Sequence, residues 1–191
     1  MSKHTKCAVM AVSLIFAANA AMAAEDARLK KVEDYVVANI KPWLGDPKVA
    51  DAVKAQNVAD SKLKSADIDK MDIGWLERTD KKLIDSRMNN DLSTFLRKKK
   101  EALGNVVLEI FAFDNKGLNV GQTDLTEDYN QGDEAKYWKT YGVGPDAIFV
   151  DKIGPDGGKP NISQASLTIK DPASGQAIGA VTVGIDVDQM K

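Results

Sequence analysis

The sequence predicts an α+β fold in which N-terminal helices precede a five-stranded antiparallel sheet. Three observations carry this. Apolar residues recur every three to four positions up to Gly104 and every second position beyond it. The segments after Gly104 are separated by short turn sequences such as Asn115-Lys116-Gly117, which join neighbouring strands as hairpins. Neither half contains an internal repeat or a low-complexity tract.

The first residues set a compartment. Met1 to Lys6 is short and basic, Cys7 to Ala18 is almost wholly apolar, and Ala21-Met22-Ala23 supplies small residues for a signal peptidase. An apolar run of about a dozen residues is shorter than the roughly 20 needed to span a bilayer. Export to the periplasm with cleavage after Ala23 is therefore expected, with no membrane anchor. Cleavage leaves 168 of the 191 residues and moves the formal net charge from −2 to −4 through loss of Lys3 and Lys6. Such a balance gives no support for nucleic-acid binding.

Cleavage also removes Cys7 and His4, the sole cysteine and histidine. A cysteine or Ser-His nucleophile, a zinc site of ordinary type, histidine-ligated haem and any disulfide are thereby excluded. Neither "DNKGLNVGQTDLTED" nor "DKIGPDGGKPN" matches a regular calcium loop. We expect no enzyme, no cofactor and no metal site.

Residues 24–104 read as a helical region. Leu29, Val32, Val36 and Ile40 form one face of a helix over Glu25–Ile40, closed by Pro42. A weaker helix fits Lys48–Gln56. A third, from Ser65 to about Glu77, has Ser65 as its expected cap and Ile68, Met71, Trp75 and Leu76 on one face. A fourth starts at Asn90 or Asp91, buries Leu92, Phe95, Leu96 and Leu103, and stops at Gly104. Its basic run, Arg97 to Lys100, reads as a solvated end that complements the helix dipole.

Residues 105–191 read as the sheet. Strands are expected at Val106–Asp114, Leu118–Thr123, Ala147–Ile153, Asn161–Lys170 and Gln176–Val187. Gly154 to Pro160 reads as a loop. The long connection from Asp124 to about Asp146 holds "EDYNQGDEAKYWKTYG", three of the four tyrosines and one of the three tryptophans in a stretch too polar to be core. Asp133 and Glu134 are expected to cap a short helix over Ala135–Lys139. In the last strand, alternation puts Val181, Val183, Ile185 and Val187 on one face and Ala180, Thr182, Gly184 and Asp186 on the other. The first face wants a packed helix; the second is bare enough to floor a pocket.

"IFAFDNKGLNVGQTD", the aromatic loop and "ISQASLTIKDPASGQAIGAVTVGID" together resemble an extracellular Cache, or PDC, sensor domain. The resemblance spans about Val106 to Val187 and implies a PAS-like sheet. It further implies a pocket between sheet and long loop for a small metabolite such as an amino acid, an amine or a short carboxylate. By that resemblance Tyr129, Trp138 and Tyr141 are wall candidates, Lys136 a cation for a carboxylate, and Asp186 an acceptor for an amino group. Each has an ordinary alternative. One or two of the rings pin the loop as a small satellite core, and Asp186 marks a strand end or caps a turn. Tyr137 is expected to face away from Trp138 if the segment is extended. Most relatives are tethered to kinases, cyclases or chemoreceptors, whereas this chain looks like a solitary, soluble module. It would signal through a separate membrane receptor or kinase, with a homodimer through the N-terminal helices as a further expectation. The alternative is a periplasmic adaptor with a vestigial pocket.

Overall fold

The computed structural model describes residues 24–190; the expected export signal lies outside the described residues. Helix α1 (residues 24–39) is followed by a 3-10 turn (Lys41–Trp43) and by α2 (Pro47–Ala59), α3 (Ser65–Leu76), α4 (Lys81–Met88) and α5 (Asp91–Leu103). The sheet holds β1 (Val107–Phe113), β2 (Asn119–Gln122), β3 (Ile148–Val150), β4 (Gly154–Asp156), β5 (Lys159–Lys170) and β6 (Ala177–Asp186), with the short α6 (Ala135–Trp138) between β2 and β3. Among the described residues no helix is long and apolar enough to cross a membrane.

Local chemistry explains where the helices start. Asp46 accepts from the Lys48 amide at 2.9 Å with Pro47 at the first helical position of α2, and Asn90 accepts from the Ser93 amide at 2.8 Å to open α5. At α3 the expected cap is displaced by one residue. Lys64 is the capping position, its amide donating to Asp67 Oδ2 at 2.9 Å, and Ser65 is already helical. Leu76, expected on the buried face of α3, is 46 % exposed, while Trp75 is fully buried. Helix α4 had no counterpart in the sequence reading. Asp80 caps it by accepting from the Leu83 amide at 3.0 Å, and with eight residues it offers little periodicity to detect.

Every strand pairing is antiparallel, in the order β2-β1-β6-β5-β3, with β4 pairing on β5. The sheet thus has six strands where five were expected. The sixth, β4, is the Gly154-Pro155-Asp156 segment read as loop, folded onto the start of β5. In the tight turn after β1, Gly117 has φ +85°, and a Cβ there would lie 2.4 Å from Gly132. Only glycine fits that approach.

The core lies between the helices and one face of the sheet. Val32 and Val36 of α1, Ile40 just after it, Val49 and Val53 of α2, and Leu92 and Leu96 of α5 pack on Ile110, Ala112, Val181, Val183 and Ile185. Each such side chain contributes about 1.5–3 kcal/mol when fully buried. The apolar face read from the last strand finds the helices it required. A smaller cluster joins Trp75 and Leu83 to Leu118 and Tyr129. It ties α3 and α4 to the long connection.

Candidate functional site

That second face floors a cavity of about 490 Å³. Its floor comes from Glu109 and Phe111 of β1 and from Ile162 and Gln164 of β5. One wall is the β2–α6 connection, through Leu125, Asp128 and Gln131, together with Lys136 of α6; the other runs from Asp151 to Asp156. The volume falls within the roughly 300–1,000 Å³ of small-molecule sites.

Three residues in register across the sheet make a polar row in that floor. Glu109 lies opposite Gly184 of the central strand, and Gly184 lies opposite Gln164. Gln164 Nε2 donates to Glu109 Oε1 at 3.1 Å, so the two side chains meet over the glycine between them. A Cβ at position 184 would stand 2.8 Å from Glu109 Cγ and 3.2 Å from its Oε1. The bare position is therefore what lets the carboxylate lie across the sheet. In the next row Ser166 and Thr182 share a hydroxyl hydrogen bond of 2.8 Å beside Phe111.

A register shift between Val107 and Glu109 decides which face Glu109 joins. In an unbroken strand the two would share a face. The irregularity leaves Val107 in the core and Glu109 in the cavity. Burial pushes the Glu109 carboxyl above its ordinary range, Gln164 opposes this by donating to it, and the Asp156 carboxylate adds a further upward push.

The loop wall is held from behind. Tyr129 and Asn130 both donate their amides to Asp72 Oδ1, at 2.9 and 3.0 Å. Trp75 Nε1 donates to the Thr126 carbonyl at 3.0 Å, and the Gln131 amide donates to the Gly117 carbonyl at 2.7 Å. The Asp128 carbonyl accepts from Asn119 Nδ2, Thr126 Oγ1 and Gln131 Nε2 at 2.8–3.0 Å. These bonds turn a polar loop into a fixed wall. The Asp128 carboxyl is raised by burial first, then by the neighbouring charges of Asp72, Glu134, Glu127 and Asp133.

Of the five residues singled out in the sequence, Lys136 lines the cavity. Its ammonium is 2.8 Å from Glu134, donates to Gln131 Oε1 at 3.0 Å and stands 5.4 Å from the Phe111 ring centre. Tyr129 is fully buried against Trp75 (ring centres 5.4 Å apart) and accepts from Arg87 Nη2 at 3.1 Å. Burial pushes its phenol up to about 12, with Arg87 opposing the rise. Trp138 is 60 % exposed on α6, and Tyr141 is half-buried against Tyr137. Asp186 is buried at the end of β6, paired with Lys159 and accepting from the Asp188 amide at 3.2 Å. Of these four, none is among the residues lining the cavity.

Tyr137, set aside in the sequence, is the ring that α6 turns inward. It packs against Phe111, Phe113 and Ala180, and its hydroxyl donates to the Asn115 carbonyl at 2.9 Å. The segment is helical rather than extended, which reverses the facing expected for it. Glu134 stands at the N-cap of α6 without a side-chain capping bond, because it is paired with Lys136. The residues that the sequence reading missed are Glu109, Gln164 and Asp128. The one signal for the first two was the glycine between them.

A second cavity of about 300 Å³ lies where Leu44 meets Ile148 and Leu167, and two of its charged residues, Lys170 and Asp146, are paired with each other at 2.7 Å.

No family model matches the sequence, and no curated protein matches it. Among solved structures the chain is similar to the sensor domain of the V. cholerae histidine kinase DctB, at 14 % identity and TM-score 0.43 over 88 % of this chain and 57 % of that one. It is also similar to the sensory domain of the Campylobacter jejuni chemoreceptor Tlp3 with isoleucine bound, at 16 % identity and TM-score 0.44 over 100 % of this chain and 67 % of that one. A third is the ligand-binding domain of the Pseudomonas aeruginosa PAO1 amino acid chemoreceptor PctC in complex with GABA, at 16 % identity and TM-score 0.37 over 61 % and 58 % of the two chains. The chain spans just over half the length of the first of these.

Proposed function

We propose that this protein is an exported, Cache-type sensor module that binds a small metabolite in the cavity over its sheet and signals through a separate membrane receptor or kinase. The observation that carries the reading is the cavity itself: about 490 Å³, floored by a polar strand row and walled by a loop that buried bonds hold in place. Such a preformed site lowers the ordering cost of binding. Nothing in the reading requires bond chemistry, and the module acts by binding. Cleavage after Ala23 and pairing of two chains through the N-terminal helices belong to the same proposal. Val37, 40 % exposed on α1, is available to such a pairing.

A thermal-shift screen of the exported protein against amino acids, amines and short carboxylates tests the reading. A true ligand at about 100 times its Kd adds roughly 2.7 kcal/mol, which is a rise in Tm of roughly 5 to 10 °C for a chain of this size. The adaptor alternative, binding a partner through the helical half, draws on the exposed Val58 of α2 and Ile73 of α3, 75 % and 53 % accessible. Silence across the whole panel favours the adaptor and removes the sensor reading.

A further inference from the structure

The charges around the cavity do not balance. Six carboxyl groups line it, those of Glu109, Glu127, Asp128, Glu134, Asp151 and Asp156, against two lysines, Lys136 and Lys152. Lys136 is already spent on Glu134. Among the described residues, the other five carboxyls have no ion-pair partner within 4.0 Å.

The unmet negative charge falls in two separate places. One is the floor, where Glu109 is aimed across Gly184 by its bond from Gln164 and shares the cavity lining with Asp156. The other is the loop wall, where Asp128 is fixed by three donors to its carbonyl and is flanked by Glu127 and Glu134. Apolar side chains, Phe111, Leu125 and Ile162, line the same space. Both carboxyls are held above their ordinary range by burial and by acidic neighbours, which is the state a bound cation relieves.

We propose that the cavity selects linear aliphatic diamines and polyamines, with one ammonium on Glu109 beside Asp156, another on Asp128, and the methylene chain against Phe111 and Ile162. The inference rests on the ligand-binding reading above and narrows its ligand class. A plain carboxylate meets repulsion at both places. A monoamine satisfies one of them. An α-amino acid brings a carboxylate for which Lys152 is the remaining unpaired cation.

The test is calorimetric titration of the exported protein in about 0.15 M salt, where charges far apart on the surface are screened. The probes are putrescine, cadaverine, spermidine, butylamine, an amino-acid set and succinate. The diamines or spermidine are expected to bind at least tenfold tighter than butylamine. Glu109→Gln should weaken the best of them at least tenfold while keeping the hydrogen bond to Gln164 and the fold, checked by circular dichroism. Asp128→Asn should bring diamine affinity down towards that of butylamine and leave butylamine itself unchanged. Asp69→Asn, an exposed acid of α3 outside the cavity, should change nothing. Amino acids or succinate binding while diamines do not overturns the inference and leaves the sensor reading standing. If no probe binds, both fall. Diamine binding that survives both cavity substitutions is surface association and also overturns the inference.

Discussion

The two faces of the sheet are made by the same strands and do opposite work. On the helix side, β6 presents Val181, Val183 and Ile185 to apolar side chains of α1, α2 and α5. On the cavity side the same strand presents Ala180, Thr182 and Gly184, and its neighbours lay Glu109, Gln164 and Ser166 over them. The first face gains by excluding water from hydrocarbon. The second keeps polar groups paired with one another and gains little from doing so. The lesson is that stability is concentrated on one side of the sheet, which leaves the other side able to carry a cavity and an incomplete charge balance.

The widest contrast comes from truncating the helix side. Leu96→Ala, on α5 in the core, should cost about 2–5 kcal/mol in urea unfolding. Glu109→Gln, on the opposite face, should cost far less, because the amide oxygen still accepts from Gln164 and no cavity is opened. Equal losses at the two positions would break the comparison.

Next in size is a pH effect just past β1, beside the C-terminal end of α2. Asp114, fully buried just past β1, accepts at Oδ1 from the Lys116 and Leu118 amides at 2.8 and 2.9 Å. Its Oδ2 is buried without a hydrogen-bond partner. Burial, with Asp60 beside it, pushes the carboxyl up to about 6. The folded state therefore holds this proton more tightly than the unfolded chain does. Its stabilising contribution is full below about pH 4 and is lost as pH rises through about 6, by about 3 kcal/mol at most. Asp114→Asn keeps an Oδ1 that accepts from both amides and should flatten that slope, raising stability at pH 7.5. Denaturant titrations of the two proteins at pH 4.5, 6 and 7.5 read it directly.

A smaller effect is expected from Gly184→Ala. The added methyl meets Glu109 at 2.8 Å and has to push it aside, at about 1–3 kcal/mol. Ligand affinity should fall more sharply than stability, because the displaced carboxylate belongs to the cavity floor. A ligand response that stays intact while Tm drops would place the binding elsewhere.

How much of this was legible in the sequence follows the same divide. Alternation in "IGAVTVGID" separated the two faces of β6, and the change of period at Gly104 separated helices from sheet, because both are local patterns. Gly104 closes α5 with φ +65°, as a stop glycine should. Glu109 was hidden because strand parity puts it with Val107, and only the register shift set by pairing with β6 parts them. Tyr129 is drawn to Trp75 on a helix far earlier in the chain, a tertiary contact that no local pattern announces. Asp186 looked like an open acid on a bare face, and Lys159 from the neighbouring strand meets it there. Side chains that answer to their own strand or helix were readable, whereas those that answer to a partner across the fold were not.

The central claim is that the polar face of the sheet, and not the helix face, receives a ligand. Amide chemical-shift mapping of isotope-labelled protein, titrated with the metabolite panel, addresses it most directly. The account predicts shifts confined to residues 109–111, 125–136, 151–156 and 162–164, with the amides of Val32, Val36, Val49 and Leu96 unmoved. Shifts centred on α1, α2 or α5, or a spectrum untouched by every compound, would contradict it.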